Sequence, residues 1–273
     1  MIYIDLFYPL ISLVLSLVAV EAIAFTLQEQ SGKFMRGAFS SYLSGDLLDK
    51  LIENPEALAL GGESKELSIL FSDIRGFTTI SEKMESPVAL INLLNRYFTP
   101  MTNAVLDNGG MLDKYIGDAV MAFFNAPVDI KDHADAACNS ALEMIEKLDI
   151  LNEKLTLENI DPIKIGIGIN TADVVVGNMG SDTRFNYTVI GDGVNLASRV
   201  EGLTKNYGVN ILITEFNVAK ISDKFIRREI EPVKVKGKDE AVLLYELMPD
   251  TDNSREIKKL YDEALTTYKS GDF

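Results

Sequence analysis

The sequence is poor in the residues that form disulfide bridges and histidine metal centres. Its 273 residues include one cysteine, Cys138, and one histidine, His133. A single cysteine cannot form an internal disulfide, which fits a reducing cytoplasm. A single histidine excludes a zinc or iron centre built from several histidines of one chain. Both residues fall in a long amphipathic segment, and we expect both to be structural.

Positive charge is also scarce. The chain has 26 Lys and Arg residues against 41 Asp and Glu residues, and its formal net charge is −15. A protein that binds duplex nucleic acid presents a basic face to the phosphates, so this balance argues against a nucleic-acid partner. It fits a domain that handles an anionic substrate locally, through metal ions and a few cations.

Long apolar runs are absent except near the N-terminus, between Leu6 and Leu27. This run of about twenty residues has the length of a membrane-spanning helix, and we predict a transmembrane helix within residues 1–30. No basic residue precedes it, so it lacks the start of a signal peptide. Lys33 and Arg36 follow, which predicts that its C-terminal side is cytoplasmic. Glu21 weakens the prediction, and a buried apolar helix is the alternative.

Residues 31–62 are predicted to form a helical connector. Apolar residues recur there at helical spacing, Asn54-Pro55 breaks the pattern, and Gly61-Gly62 predicts a hinge. Such a connector could transmit motion from the membrane to the following domain. A passive spacer is an equally open interpretation.

The rest of the chain alternates between strand-like and helix-like segments, followed by a polar, helical tail at residues 251–273. The β-α-β-β-α-β order is that of the split, ferredoxin-like unit, so we predict an α+β domain over residues 63–250. Its predicted strands are 67–71, 111–115, 119–124, 163–169, 174–176, 210–213, 233–235 and 242–247, and its predicted helices are 87–106, 133–155 and 194–203.

Two aspartates stand where predicted strands end. Asp73 closes the apolar segment LSILFSD, and Asp118 closes KYIGD. Carboxylates on adjacent strand ends can share Mg²⁺ ions, which prefer oxygen ligands. Either residue alone could be an ordinary turn or capping aspartate. Gly76, Phe77 and Thr78 follow Asp73 and lead into a helix, where backbone N–H groups can approach phosphate.

Four segments occur in order at the spacing of a domain. They are FSDIRGFTTISE, GGMLDKYIGDAVMAFF, GNMGSDTRFNYTVIGDGVNLASR and VKVKGK. From about Glu66 to Met248 the chain resembles the class III adenylyl and guanylyl cyclase catalytic domain. The apolar segment and connector resemble the last part of bacterial receptor cyclases that carry an extracellular CHASE-type sensor. This likeness implies a location in the bacterial inner membrane, with one membrane span in this chain and a cytoplasmic catalytic domain. The chain is either a one-span protein or part of a longer receptor.

The resemblance implies roles for individual positions around ATP and two Mg²⁺ or Mn²⁺ ions. Asp73 and Asp118 match the metal-binding aspartates, and the carbonyl of Ile74 would complete one metal shell. Lys114 and Thr188 match the positions that recognise the purine, and Asn195 matches the residue that orients the ribose. Arg199 matches the arginine at the α-phosphate, and Lys236 matches the lysine that binds the terminal phosphates.

Lys114 and Thr188 favour adenine over guanine. Lys114 offers a donor to an acceptor nitrogen of the adenine ring, and Thr188 suits the exocyclic amine. Guanylyl cyclases of the family carry an acidic residue and a small residue there. The sequence therefore predicts an adenylate cyclase, which converts ATP to 3′,5′-cyclic AMP and pyrophosphate in signal transduction. A guanylyl or cyclic-dinucleotide cyclase and a silent regulatory module are the alternatives.

In the family, the two aspartates come from one protomer and the other side chains come from its partner. This chain holds both sets, which predicts a symmetric homodimer with two shared sites. One departure from the family pattern is Ala172, which follows Asn170-Thr171 where a glycine is expected. Because glycine is often used where backbones approach closely, the local geometry at Ala172 is in question.

Overall fold

The computed structural model describes residues 11–17, 20–21, 61–181, 184–234 and 241–271. The chain divides into two compact units, Met1–Ala59 and Leu60–Phe273. Residues 11–17 are helical. Within the described ranges, no helix is long and apolar enough to cross a membrane. The predicted transmembrane helix is therefore not confirmed, and most of its span, like connector residues 31–60, lies outside the described residues.

The second unit combines strands and helices, as the α+β prediction requires. Its strands are β1 Gly61–Ile74, β2 Met111–Ile116, β3 Ala119–Phe124, β4 Ile165–Ser181, β5 Arg184–Ile190, β6 Ile211–Thr214, β7 Ile226–Val233 and β8 Val242–Met248. Its helices are α1 Phe77–Lys83, α2 Pro87–Asp107, α3 His133–Leu157, α4 Asp192–Tyr207, α5 Glu215–Val218 and α6 Asp252–Ser270.

The strands form one sheet in the order β2-β3-β1-β4-β6-β8-β7, and β5 pairs with β4 beside this path. β1 lies between β3 and β4 and pairs antiparallel with both. The elements β1, α2, β2, β3, α3 and β4 follow one another in the predicted βαββαβ order. The ends of β1 and of the β2–β3 hairpin therefore lie side by side.

Helices α2 and α3 cover one face of this sheet and form the main core. The Ser86 hydroxyl caps the start of α2 by accepting a hydrogen bond from the Ala89 N–H, and Pro87 occupies the first turn. Apolar residues at helical spacing face the strands. They are Leu93, Tyr97, Met101, Ala104 and Val105 of α2 and Ala137, Ala141, Met144, Leu148, Leu151 and Leu155 of α3.

Helix α4 lies directly against β4, on the opposite face of that strand from α2 and α3. Ile165, Ile167 and Ile169 of β4 belong to the main core, so the alternate residues Gly166 and Gly168 point to the other face. A Cβ atom on Gly168 would lie 2.6 Å from the carbonyl oxygen of Ala197 in α4. Glycine is therefore required there for the helix to approach the strand.

The structure corrects several predicted boundaries. The two strands predicted at 163–169 and 174–176 are one strand, β4, and Ala172 lies inside it opposite Leu67. Ala172 therefore leaves the strand uninterrupted. Strand β5 was not predicted, and β7 begins at Ile226 rather than within 233–235. Four charged residues in β7 obscured the alternation that indicates a strand, and β5 is defined by its pairing with β4.

The lone histidine and cysteine lie buried on α3. Nδ1 of His133 is 2.9 Å from the Ser68 hydroxyl of β1. The thiol of Cys138 donates to Oδ1 of Asn217, 3.4 Å away. Burial raises the pKa of the Cys138 thiol, so it stays protonated at neutral pH. These contacts join α3 to β1 and α5.

Candidate active site

The two predicted metal-binding aspartates lie close together, where β1 ends beside the turn of the β2–β3 hairpin. Asp73 is the penultimate residue of β1, and Asp118 lies in the two-residue turn between β2 and β3. Ser72 pairs with Val120, so the next step along β1 brings Asp73 beside this turn. Gly117 opens the turn with a φ of 66°, a conformation that favours glycine. Sheet pairing thus brings together two carboxylates 45 residues apart.

The surroundings of this acidic pair disfavour two free negative charges. The pKa of Asp118 is raised to about 6, mainly by burial and secondly by contact with Asp73. A hydrogen bond from the Ile74 N–H lowers this pKa in part. The same N–H donates to Oδ1 of Asp73 at 2.9 Å. The backbone of Ile74 therefore adjoins both carboxylates, at the position predicted for a metal ligand.

Glu201 is a third acidic residue near this pair, and no motif of the sequence indicates it. It extends from α4 over β4, close to Gly166, which pairs with Asp73 across the sheet. Burial raises the pKa of Glu201 to about 7, with Asp73 as the next cause and Arg75 acting against it. The position of Glu201 depends on the close approach of α4 to β4. In the sequence, the alternate glycines of β4 indicate this close approach.

The segment after Asp73 forms the start of α1. Gly76 has a φ of 70° and precedes the helix. Gly76 and Thr78 are exposed, whereas the ring of Phe77 packs against the main core. The ring of Phe77 is therefore only partly accessible, whereas Gly76 and Thr78 are open to a ligand. The guanidinium of Arg75 donates to the Val209 carbonyl and secures this turn.

Lys114 and Thr188, the predicted purine-reading residues, lie together although 74 residues separate them. Nζ of Lys114 donates to Oγ1 of Thr188 at 3.2 Å. Lys114 belongs to β2 and Thr188 to β5, and the rings of Phe123 and Tyr187 also meet, at 6.3 Å between centroids. Strand β5 therefore reaches across to the β2–β3 hairpin.

Asn195 and Arg199 lie exposed on α4. Because an α-helix has 3.6 residues per turn, residues four apart share one face, as predicted. Glu201, near the acidic pair, is rotated about 200° from Arg199 around the same helix. Asn195 and Arg199 therefore face away from the acidic pair of their own chain. Lys236 lies outside the described residues.

The family profile described as the adenylate and guanylate cyclase catalytic domain matches residues 62–248. The chain belongs to this family. It is 45% identical over 203 residues to an adenylate cyclase of Anabaena cylindrica, an alignment that covers 72% of this chain and 39% of that protein. The cyclase domain described here thus spans less than half of this relative.

Solved structures share the fold of this cyclase domain. The adenylyl cyclase CyaB of P. aeruginosa is 38% identical, with a TM-score of 0.65 over 71% of this chain and 98% of that one. The guanylyl cyclase Cya2 is 33% identical, with a TM-score of 0.63 over the same shares. The two structures differ in the nucleotide that their names give, so the fold leaves the choice of base to particular side chains.

The acidic pair of this cyclase suits a divalent ion bound together with a substrate. Mg²⁺ is typically held by one or two carboxylates, water and substrate phosphates rather than by a cage of protein ligands. Asp73 and Asp118 supply such a pair, and a cation would relieve their mutual repulsion. In the ranges that the structure describes, no group of three or more His, Cys, Asp or Glu residues could hold a metal.

Proposed function

We propose that the chain is an adenylate cyclase that converts ATP to 3′,5′-cyclic AMP and pyrophosphate. The observation that carries the proposal is the contact between Lys114 and Thr188, which places a donor and a hydroxyl side by side. Adenine presents an acceptor nitrogen next to an amino group, so this pair matches its edge. The similar proteins of Anabaena cylindrica and P. aeruginosa carry adenylate cyclase names, which supports the same substrate.

The reaction is an in-line attack of the ribose 3′-hydroxyl on the α-phosphorus, with pyrophosphate as the leaving group. Such phosphoryl transfer depends on positioning and on stabilising charge. Two Mg²⁺ or Mn²⁺ ions bound at Asp73 and Asp118 would lower the pKa of the 3′-hydroxyl and neutralise the departing phosphates. Arg199 offers paired donors to the α-phosphate oxygens, and Asn195 orients the ribose.

Each active site is proposed to form between two copies of the chain. Asp73 and Asp118 would come from one copy, and Lys114, Thr188, Asn195, Arg199 and Lys236 from the other. The orientation of α4 supports this arrangement, because Asn195 and Arg199 are exposed and face away from the acidic pair of their own chain. A twofold symmetric dimer would complete two equivalent sites.

We also propose that the apolar N-terminal segment anchors the chain in a bacterial inner membrane, with the cyclase domain in the cytoplasm. The support is the run from Leu6 to Leu27, followed by Lys33 and Arg36. Fractionation of cells that express the full chain tests this localisation. Recovery of the chain in the supernatant without detergent contradicts it.

The reaction is tested with the purified full chain, incubated with ATP or GTP and either Mg²⁺ or Mn²⁺. Cyclic AMP and pyrophosphate should form in equal amounts from ATP, with far less cyclic GMP from GTP. Asp73→Ala should abolish the product, whereas Asp149→Ala, at an exposed position of α3, should not.

Preferential formation of cyclic GMP would show that the assignment of the base is wrong. Nucleotide binding without turnover, under all four conditions, would indicate a regulatory module instead.

A further inference from the structure

A buried carboxylate lies behind the purine-reading pair. The side chain of Asp113 is only 1% exposed, and its Oδ2 accepts a hydrogen bond from Oγ1 of Thr188 at 2.8 Å. Its Oδ1 lies 3.5 Å from Nζ of Lys114. Asp113, Lys114 and Thr188 therefore form one connected polar cluster.

An irregularity in β2 makes this cluster possible. Successive side chains of a regular strand point to opposite faces, so Asp113 and Lys114 could not both face Thr188. Between β2 and β3, Leu112 pairs with Ala122 but Lys114 pairs with Met121, so β2 advances by two residues while β3 advances by one. This is a β-bulge, which redirects side chains and is often found near active sites.

The hydrogen bonds determine what the Thr188 hydroxyl can offer a ligand. A hydroxyl has one hydrogen to donate and two lone pairs. The hydrogen is donated to Asp113, and Lys114 donates to one lone pair. The remaining capacity of Thr188 is that of an acceptor.

We propose that Asp113 is a positioning residue that determines base specificity by holding the Thr188 hydroxyl in the acceptor state. The cluster then favours a purine with an amino group at this position and repels one with a carbonyl oxygen. This inference rests on the proposed adenylate cyclase function and concerns the same subsite. Asp113 itself acts through Thr188 and makes no contact with the substrate.

Burial of this carboxylate has no evident benefit for stability. Burial raises the pKa of Asp113, although Thr188 and Lys114 act in the opposite direction. Among the described residues, Oδ1 has no hydrogen bond and only the ion pair with Lys114 at 3.5 Å, so its desolvation is incompletely offset. The arrangement is therefore better explained by what Asp113 does to Thr188 than by its contribution to folding.

The test is Asp113→Asn in the full chain, with kcat/KM measured for ATP and for GTP. An asparagine amide can donate to Thr188, which frees the hydroxyl hydrogen to point at the ligand. The ratio of kcat/KM for ATP over GTP should fall about 10-fold or more, the scale of one misplaced hydrogen bond in a recognition site. An equal loss for both substrates, with an unchanged ratio, would overturn the proposal.

Two comparisons separate specificity from folding. Asp149→Asn makes the same change of charge at an exposed site and should leave the ratio unchanged. In a Thr188→Val background, Asp113→Asn should have no further effect on the ratio, because Asp113 acts through the hydroxyl. A further change in that background counts against the proposal. If Asp113→Asn fails to fold, Asp113→Ala, which removes the acceptor altogether, serves the same test.

The wild-type chain distinguishes this inference from the function on which it rests. If the wild type forms no cyclic AMP from ATP, both the adenylate cyclase proposal and the proposed role of Asp113 are wrong. If it forms cyclic AMP and the substitutions leave the ratio unchanged, only the role of Asp113 is wrong.

Discussion

Asp118 and Glu201 illustrate how neighbours change the chemistry of single residues. Their pKa values are raised to about 6 and about 7, in each case chiefly by burial. A carboxyl group whose pKa is higher in the folded state holds more protons there than in the unfolded chain, over the interval between the two values. The free energy of unfolding therefore falls as the pH rises through that interval.

The resulting prediction concerns pH and Mg²⁺. Without a divalent ion, these two groups should make the chain less stable as the pH rises from about 4 to about 7. Mg²⁺ requires ionised carboxylates, so its stabilising effect should grow over the same interval. Calorimetry of the full chain should show a larger increase in Tm with Mg²⁺ at pH 8 than at pH 5, and Asp73→Asn should remove the increase. An equal shift at both pH values would contradict this explanation.

The sequence indicated the residues proposed for metal binding and purine recognition better than it indicated their supporting neighbours. Asp73 and Asp118 stood at strand ends, and Lys114 and Thr188 lay within recognisable motifs. Asp113 could not be found in this way, because its partner Thr188 is 75 residues further along the chain and the contact depends on a bulge. Supporting residues of this kind are defined by tertiary contacts rather than by local pattern.

At the scale of elements, the position of helix α4 likewise depends on a tertiary contact, with strand β4. It carries Asn195 and Arg199 on its exposed face, and Gly166 and Gly168 of β4 determine how closely it lies to the sheet. A side chain at Gly168 would meet backbone atoms of Ala197 and Glu201, which can move only if the helix moves. The position of the exposed face thus depends on a glycine of another element.

Gly168→Ala is therefore predicted to destabilise the fold by about 1–3 kcal/mol, the range for overpacking, and to lower the cyclase rate. Gly202→Ala provides the control. Gly202 lies within α4, and an alanine Cβ at this position would have no neighbouring atom within 4 Å, so the substitution should stabilise that helix by roughly 0.5–1 kcal/mol. Urea unfolding of both variants measures the difference. Similar values for the two substitutions would show that close packing on β4 is not what positions α4.

Periodicity predicted the long elements well and the short or irregular ones poorly. Helices α2 and α3 and strands β2 and β3 lie within two residues of their predicted bounds. The two helices and β3 have clearly apolar buried residues. Strand β5, RFNYTVI, was not predicted, and its pairing with β4 defines it. The β4–β5 hairpin could be found only from the structure.

At the scale of the whole molecule, the proposed site residues of one chain fall into two separate groups. The residues proposed for metal binding and those proposed for the ribose and α-phosphate face in different directions from one chain. A second copy in twofold symmetry would bring complementary halves together. The membrane anchor and the likeness of the N-terminal segment to receptor cyclases stay predictions.

Mixing two inactive variants of the full chain tests the shared site most directly. Asp73→Ala removes a residue of one half-site and Asn195→Ala a residue of the other, so each heterodimer retains one intact site. If the subunits exchange freely, half of the dimers are heterodimers, and cyclic AMP formation should return to about a quarter of the wild-type rate. A mixture of Asp73→Ala with Asp118→Ala should stay inactive, because both changes affect the same half-site. Failure of the first mixture to exceed its parents, with heterodimers detected by two different tags, would contradict a catalytic site shared between two copies.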